Sequence, residues 1–340
     1  MSTSHPPRPT RELGLWVKMG LLQSIYIVNL FNFALSDLNE TIMPLKHIAT
    51  SGIHLNHVTV GKSNLIDHFG KNYVFFAFNS SVDSLISREM LLNGGYWEEE
   101  LHEIFLDLWD TEGQALHLPV VDIGSNLGSF TLFAAALGST VYSFEMQPML
   151  FQLLNASVFA SNYQRQVSLF NIGLWNRKEN ASFSPVFGNL GSTALKEGSD
   201  GKYIIQTSRF DEIVFEKYVY FMKIDVEGAE YEVLQGMDVL LSSKKILNLA
   251  IELKPGIKQE KCLRLLYSVG YKCKIYRKHC DRHCRGAISL PTCFFRSFRS
   301  AMVALTSIVK KQQRSGSLDM QGGDYFDLYC KLNYSRANII

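Results

Sequence analysis

From residue 119 onward, short apolar runs alternate with longer stretches whose apolar positions recur at helical spacing. "PVVDI" precedes a glycine turn and "GSFTLFAAALG". "TVYSFE" precedes "QPMLFQLLNASVFASN", and "VSLFNIGL" follows. After a polar, glycine-bearing stretch over 176–202, "YVYFMKID" leads into a helix over 228–241. "ILNLAIEL" then leads into "KQEKCLRLLYSVG" and the strand "YKCKIY". Such alternation buries its apolar runs by laying the strands side by side in a mostly parallel sheet with helices on both faces. The expected fold class is α/β, doubly wound. Residues 277–323 interrupt the rhythm with a basic, cysteine-rich insertion, after which "DYFDLYCKLN" is expected to close one edge of the sheet.

"VVDIGSNLGSF" (120–130) reads as a strand, a glycine turn and a helix start. Gly124 and Gly128 let backbone approach a ligand where a side chain would clash. A phosphate-binding P-loop needs a lysine after its last glycine, and none follows Gly128. A dinucleotide loop needs Gly-x-Gly, and position 126 is Asn. Asp122 argues the same way, since a carboxylate beside the loop repels phosphates but suits a cationic or hydroxyl-rich ligand. Glu145 ends the second strand, where doubly wound sheets hydrogen-bond a ribose. An acid, a Gly-x3-Gly loop and a second acid about twenty residues on suggest a nucleoside without phosphates: S-adenosylmethionine. Its ammonium and sulfonium charges tolerate Asp122, and its ribose diol can donate to Glu145. The plain alternative is a tight turn with an incidental acid.

"FMKIDVEGAE" (221–230) places Lys223, Asp225 and Glu227 where a strand hands over to a helix. In doubly wound sheets ligands sit beyond the carboxyl ends of the strands, where strand order reverses. With "PVVDI" as first strand and "YVYFMKI" as fourth, Asp225 would face the glycine loop across that crevice. An alcohol is a poor nucleophile at neutral pH, so methyl transfer to one calls for a general base. Asp225 is the first candidate, and Glu252, ending "LAIEL", is the second. Capping competes: Asp225 is an acceptable N-cap, and Glu227 with Glu230 resembles a capping box. Lys223 is either an ion-pair partner or a guide for an anionic substrate. Asp225 and Glu252 could share a divalent cation, but no further ligands are evident and no metal is assigned.

The flanks bear on compartment. Residues 19–35, "MGLLQSIYIVNLFNFAL", are uncharged and follow Arg8, Arg11 and Lys18, which makes them a candidate signal-anchor and membrane tether at the short end of spanning length. A buried or docking helix is the alternative. All six cysteines (Cys262, Cys273, Cys280, Cys284, Cys293 and Cys330) lie in the last third, an even number compatible with disulfides. Asn-X-Ser/Thr sequons occur at Asn39, Asn79, Asn155, Asn180 and Asn333. Together these favour an endomembrane lumen, with a cytoplasmic location as the alternative. His279, Cys280, His283 and Cys284 match no established zinc-finger spacing. With 46% hydrophobic and 19% charged residues, the chain reads as folded rather than disordered, and a net charge of +2 gives no reason to expect nucleic acid as a partner.

"VVDIGSNLGSFTLFAAALGSTVYSFEMQP", "NIGLWN", "TSRFDEI" and above all "MKIDVEGAEYEVLQGM" followed by "LNLAIEL" resemble FkbM-type methyltransferases, within the class I S-adenosylmethionine-dependent methyltransferases. The resemblance covers about residues 96–275, with a last strand at 325–333. It implies a seven-stranded sheet with one antiparallel strand, and O-methylation of a hydroxyl on a sugar or related natural product. By the same resemblance Asp122, Gly124, Asn126 and Gly128 shape the cofactor loop, Glu145 holds the ribose and Asn171 lines the adenine side. Asp225 and Glu227 face the methyl-transfer crevice. The chain divides into an N-terminal segment (1–40), an extension (41–95) and a methyltransferase domain (96–335). The expected partner is a small hydroxylated acceptor, a glycan among the candidates. The contrasting reading is a non-catalytic binding or scaffold protein that keeps the fold.

Overall fold

The structure, a computed structural model, describes residues 48, 53–63, 72–113, 116–214, 218–278, 295, 297–303, 305–306 and 326–332. The candidate anchor at 19–35, the sequons at Asn39 and Asn333, and Cys280, Cys284 and Cys293 with the 279–284 His/Cys cluster lie outside the described residues. Among the described residues no helix is long and apolar enough to cross a membrane.

A hairpin of β1 (Val58–Lys62) and β2 (Val74–Phe78) opens the described chain and pairs antiparallel. The outer edge of β2 would leave N–H groups bare, but two serines one helical turn apart meet them: Val74 N–H donates to Ser161 Oγ and Phe76 N–H to Ser157 Oγ. Helices α1 (Ile86–Leu92) and α2 (Glu99–Leu108) follow, joined through the turn "NGGYW" at 93–97. In α2 one face is apolar: Leu101 and Phe105 are buried, Ile104 and Leu108 half-buried.

The alternating part then runs β3 (Val120–Ile123), α3 (Ser129–Ala136), β4 (Val141–Phe144), α4 (Pro148–Ala160) and β5 (Val167–Phe170). Here "VSLFNIGL" breaks in two. Its end, β6 (Gly173–Leu174), leaves the main sheet and joins β7 (Asn180–Phe183), β8 (Lys196–Glu197) and β9 (Tyr203–Ser208) in a small separate sheet. The stretch 176–202 is thus partly β-structure, which its polar composition concealed.

The chain re-enters as β10 (Val219–Ile224), and the helix expected over 228–241 is two short ones, α5 (Glu230–Gln235) and α6 (Asp238–Ser242), broken at Gly236. Next come β11 (Ile246–Leu253), α7 (Ile257–Val269), β12 (Lys272–Lys278) and β13 (Phe326–Lys331).

The main sheet has seven strands in the order β12-β13-β11-β10-β3-β4-β5. All neighbours pair parallel except β13, which is antiparallel to both β11 and β12. The last strand therefore does not close an edge, as the sequence suggested; it inserts between β11 and β12, and β12 is the edge. Both faces of the sheet are covered, so β10 is buried at every position. Val120 and Phe221 fall in one core with α2, α3 and α4, while Val121 and Met222 fall in the other with α5 and α7.

Cys273 and Cys330, register partners across β12 and β13, form a disulfide. Cys262 is a buried free thiol. Phe295 N–H donates to Cys273 O, and Ala301 and Leu305 are buried in the second core, so part of the insertion packs on the domain.

Candidate active site

Strand order reverses between β3 and β10, where one chain connection goes to each side of the sheet. Backbone geometry there is tight: Asp225 N–H donates to Ile123 O at 3.0 Å, and a Cβ built on Gly124 would collide with the Asp225 carbonyl oxygen. Gly124 also sits at φ +79°, a region that L side chains rarely adopt. Only glycine lets the β3 loop pass under the end of β10. Gly128, at φ +85°, gives α3 its sharp start against Leu154.

Asp122 is 1% exposed, and its Oδ2 accepts from Thr131 Oγ1 at 2.6 Å. Its Oδ1 is buried with no hydrogen-bond partner. Burial raises its pKa, against the pull of Lys223 and Thr131. Thr131 is the lone hydroxyl amid the apolar "FTLFAAA", a polar intrusion that marks a partner across the core.

Glu145 is likewise buried, and each carboxylate oxygen accepts one backbone N–H: Asn126 to Oε2 at 2.8 Å, Gln147 to Oε1 at 2.7 Å. Burial nevertheless lifts its pKa to about 7. A carboxylate has about four acceptor positions, so two remain for hydroxyl donors. Asn171 is exposed and uses Nδ2 to brace the carbonyls of Glu145 and Met146. Its side chain thus stands beside Glu145. The loop-to-Glu145 unit is thus joined by direct bonds.

Across the crevice, the capping reading of Asp225 and Glu227 is overturned. Helix α5 begins at Glu230 after Ala229, with no side-chain cap. Glu230 Oε1 instead accepts Gly228 N–H at 2.9 Å and Val226 N–H at 3.4 Å, which ties the turn. Asp225 and Glu227 are left to other partners. Asp225 Oδ2 lies 3.0 Å from Lys223 Nζ, and Glu227 Oε2 lies 2.7 Å from Lys254 Nζ.

Lys223 is no substrate guide. It is 8% exposed, sits in register beside Asp122, and has Glu98 Oε2 at 4.0 Å. Burial alone would depress its ammonium, but Asp225, Glu98 and Asp122 outweigh that and hold its pKa above the ordinary lysine range. Glu98 belongs to this cluster although nothing in "YWEEE" distinguishes it from a helix-start acid; only the packing of α2 against the sheet brings it there.

Glu252 completes the group. Asp225, Glu227 and Glu252 each place a carboxylate oxygen within 4.8 Å of the others. Burial, then the charge of Asp225 and of Asp327 across β13, push the Glu252 pKa well above the carboxylate range, and a hydrogen bond to Asp225 adds to the shift. Burial and Asp225 also raise Glu227. The set has the oxygen donors of a divalent-cation site. Lys223 and Lys254 each face one of these carboxylates, and Glu252 is hydrogen-bonded to Asp225. Chemically, Asp225 and Glu252 form an acid–base pair beside the glycine loop.

The N-terminal turn is fastened to the same region. Trp97 N–H donates to Ser129 Oγ, which donates to Gly95 O, and Ser129 is the first residue of α3. From the other side Gln147 Nε2 donates to Leu190 O. The tip of the small sheet's loop meets the extension there, where Ser84 N–H bonds Gly188 O.

Residues 122–273 match the methyltransferase FkbM domain. Among solved structures, the methyltransferase FkbM from Methylobacillus flagellatus KT is 18% identical over 47% of this chain, with a TM-score of 0.35; the chain spans 40% of that protein's length. A human methyltransferase 10 domain containing protein is 10% identical, covers 71% of this chain and 83% of its own, and has a TM-score of 0.37. The METTL16 methyltransferase domain is 14% identical over 96% of this chain and 94% of its own, with a TM-score of 0.41. No curated protein matches the chain. These distant likenesses transfer no substrate. The fold is α/β, a seven-stranded, mostly parallel sheet in the order β5-β4-β3-β10-β11-β13-β12 with a single reversed strand, and residues 122–273 within it match the FkbM methyltransferase domain.

Proposed function

We propose that the chain is an S-adenosylmethionine-dependent O-methyltransferase acting on a hydroxyl of a small acceptor of carbohydrate or natural-product type. The observation that carries this reading is the pairing of a phosphate-averse loop, built on Asp122, Gly124 and Glu145, with two carboxyl groups in contact, Asp225 and Glu252, at the adjoining strand ends. The residues suit such a cofactor. The unpartnered Asp122 Oδ1 is an acceptor for a cationic amino acid moiety, and Glu145 has acceptor positions for two ribose hydroxyls. Asp122, Gly124, Asn126, Gly128, Glu145 and Asn171 would hold it. When bound, S-adenosylmethionine supplies a methyl group made electrophilic by its sulfonium.

The chain's own residues do the rest. Asp225, the ionised member of the pair, takes the proton of the acceptor hydroxyl, and its hydrogen bond from Glu252 orients the carboxylate for that transfer. Lys223 fixes the Asp225 carboxylate at 3.0 Å, so the base is oriented before an acceptor arrives. Glu227, held by Lys254, keeps the neighbouring rim acidic.

Calorimetry with S-adenosylhomocysteine tests the reading. The full folded chain should bind in the micromolar range, and the absence of binding would refute it. Asp225→Asn should cut turnover at least about a hundredfold, the usual scale for a general base, while affinity for S-adenosylhomocysteine stays within about twofold. Unchanged turnover would remove Asp225 from the mechanism and leave Glu252 as the base.

A further inference from the structure

We infer that Asn155 and Asn180 are N-glycosylation sites and that the chain folds in an oxidising lumen. This goes beyond the methyltransferase reading and does not depend on it.

The sequons at Asn79, Asn155 and Asn180 fall on described residues, and the fold treats them differently. Asn180 opens β7 and Asn155 lies on α4, and both are exposed. Each is followed two residues on by a buried serine that the fold uses: Ser182 Oγ accepts from Gly201 N–H, and Ser157 Oγ from Phe76 N–H. A glycan is attached to the nascent chain, while those hydroxyls are still free, and must afterwards lie outside the packed protein. An exposed asparagine meets that condition. Asn79 is half-buried, spends Nδ2 on Asn56 O and Oδ1 on the Ser81 N–H and hydroxyl, and is not assigned.

The disulfide is an independent observation that points to the same compartment. Cys273 and Cys330 are buried between β12 and β13 and bonded to each other. Such bonds persist in secretory lumens and outside cells, and are rare where glutathione keeps thiols reduced. Closing this one takes two electrons and two protons from the thiols, which a lumenal disulfide oxidant accepts. The free thiol of Cys262 is buried, and desolvation raises its pKa, so it is withheld from exchange with that pair. Sequon and disulfide thus select one compartment through unrelated chemistry.

The donor is a polyprenyl-pyrophosphate-linked oligosaccharide. Asparagine Nδ2 forms a bond to the anomeric carbon, the bond from that carbon to the pyrophosphate oxygen breaks, and the lipid pyrophosphate leaves with its electron pair. Nδ2 gives up one proton. In the folded chain each sugar also has apolar surface to cover. Asn180 pairs with Gln206 and Ser182 with Ile204, so Ile204, 59% exposed, is a diagonal neighbour of Asn180 on the same face. Such neighbours lie about 7–8 Å apart. Phe159, 38% exposed, stands one helical turn from Asn155, at about 5–6 Å. Both are within reach of the first sugar rings, which would shield them from solvent.

The test is expression of the full chain in cultured animal cells, with thiols alkylated at lysis. Enzymatic glycan release in heavy-oxygen water then marks each formerly modified asparagine as a labelled aspartate for peptide mass spectrometry. Asn155 and Asn180 should carry the label, and the Cys273–Cys330 peptide pair should be oxidised in the same preparation. Asn155→Gln and Asn180→Gln should each remove one step of the gel shift that glycan release produces, with S-adenosylhomocysteine binding unchanged. The double variant should take up about twofold more of a dye that reports exposed apolar surface. An unlabelled Asn155 or Asn180 overturns the assignment of that residue. A chain with neither glycan and with Cys273 and Cys330 both alkylated overturns the lumenal location as well. Dye uptake equal to that of the wild type overturns the shielding of Ile204 and Phe159.

Discussion

At the scale of single residues, the site is governed by how burial acts on carboxyl groups. Glu145 and Glu230 are both driven to about pH 7 by desolvation, each against backbone N–H groups that favour the charged form. The folded chain therefore keeps protons that the unfolded chain releases near 4.5. Between those values the native state binds more protons, so these groups stabilise the fold at low pH and lose that contribution as pH rises towards 7. Replacing Glu145 with Gln should remove its share. From pH 5 to 7.5 the wild type should lose stability relative to Glu145→Gln by on the order of 3 kcal/mol, read from urea unfolding at each pH. Parallel curves for the two proteins would mean that Glu145 is not perturbed. The same titration bears on binding, because ribose hydroxyls favour the ionised acid. Affinity for S-adenosylhomocysteine should rise about tenfold from pH 6 to 8, with proton release seen in buffers of different ionisation enthalpy.

At the scale of elements, β13 is the piece on which the site leans. It enters from a remote part of the sequence, lies between β11 and β12, and sets Asp327 opposite Glu252. Buried Asn248 on β11 bridges both neighbours, donating to Tyr220 O at 2.9 Å and accepting from Tyr329 at 2.7 Å. The Cys273–Cys330 disulfide closes a separation of 57 residues around β12 and the insertion. Chain-entropy reasoning gives such a closure about 4 kcal/mol in an oxidised protein, an upper figure that native strain reduces. Cys273→Ser/Cys330→Ser should accordingly lower the unfolding free energy by about 2–4 kcal/mol. Because β13 also sets the charge beside Glu252, the double variant should weaken turnover more than S-adenosylhomocysteine binding. An equal loss of both would place β13 outside the chemistry.

At the scale of the whole molecule, the N-terminal hairpin, the turn at 94–98 and the sheet are one packed body: Phe75, Phe76 and Phe78 share a core with α2, α3 and α4. A ligand that binds the loop should therefore protect more than the loop. Hydrogen exchange with S-adenosylhomocysteine should slow amides at Gly95–Glu98 as well as at Gly124–Ser129; protection confined to the loop would separate the two regions. Much of this was readable in advance. Alternating apolar runs dictate the parallel sheet, because a strand buried on both faces must be apolar throughout. Asn126 in place of a second glycine, and the absence of a lysine after Gly128, exclude phosphate loops on steric and electrostatic grounds alone. Asp122 and Glu145 follow from their places at strand ends. The remainder depended on distance. Lys223 could have been a guide, Asp225 a cap and Glu98 an ordinary surface acid, since a sequence states the type of a charge but not its neighbours. The small sheet was hidden because its strands are short and lie among polar, glycine-bearing turns, and β13 was read as an edge because strand order is set by long-range packing. Sequence by itself determined the sheet and the loop, through local sterics and patterned burial. Tertiary structure alone decided which charges are shared, because pairing and desolvation arise only when residues remote in the chain exclude water together.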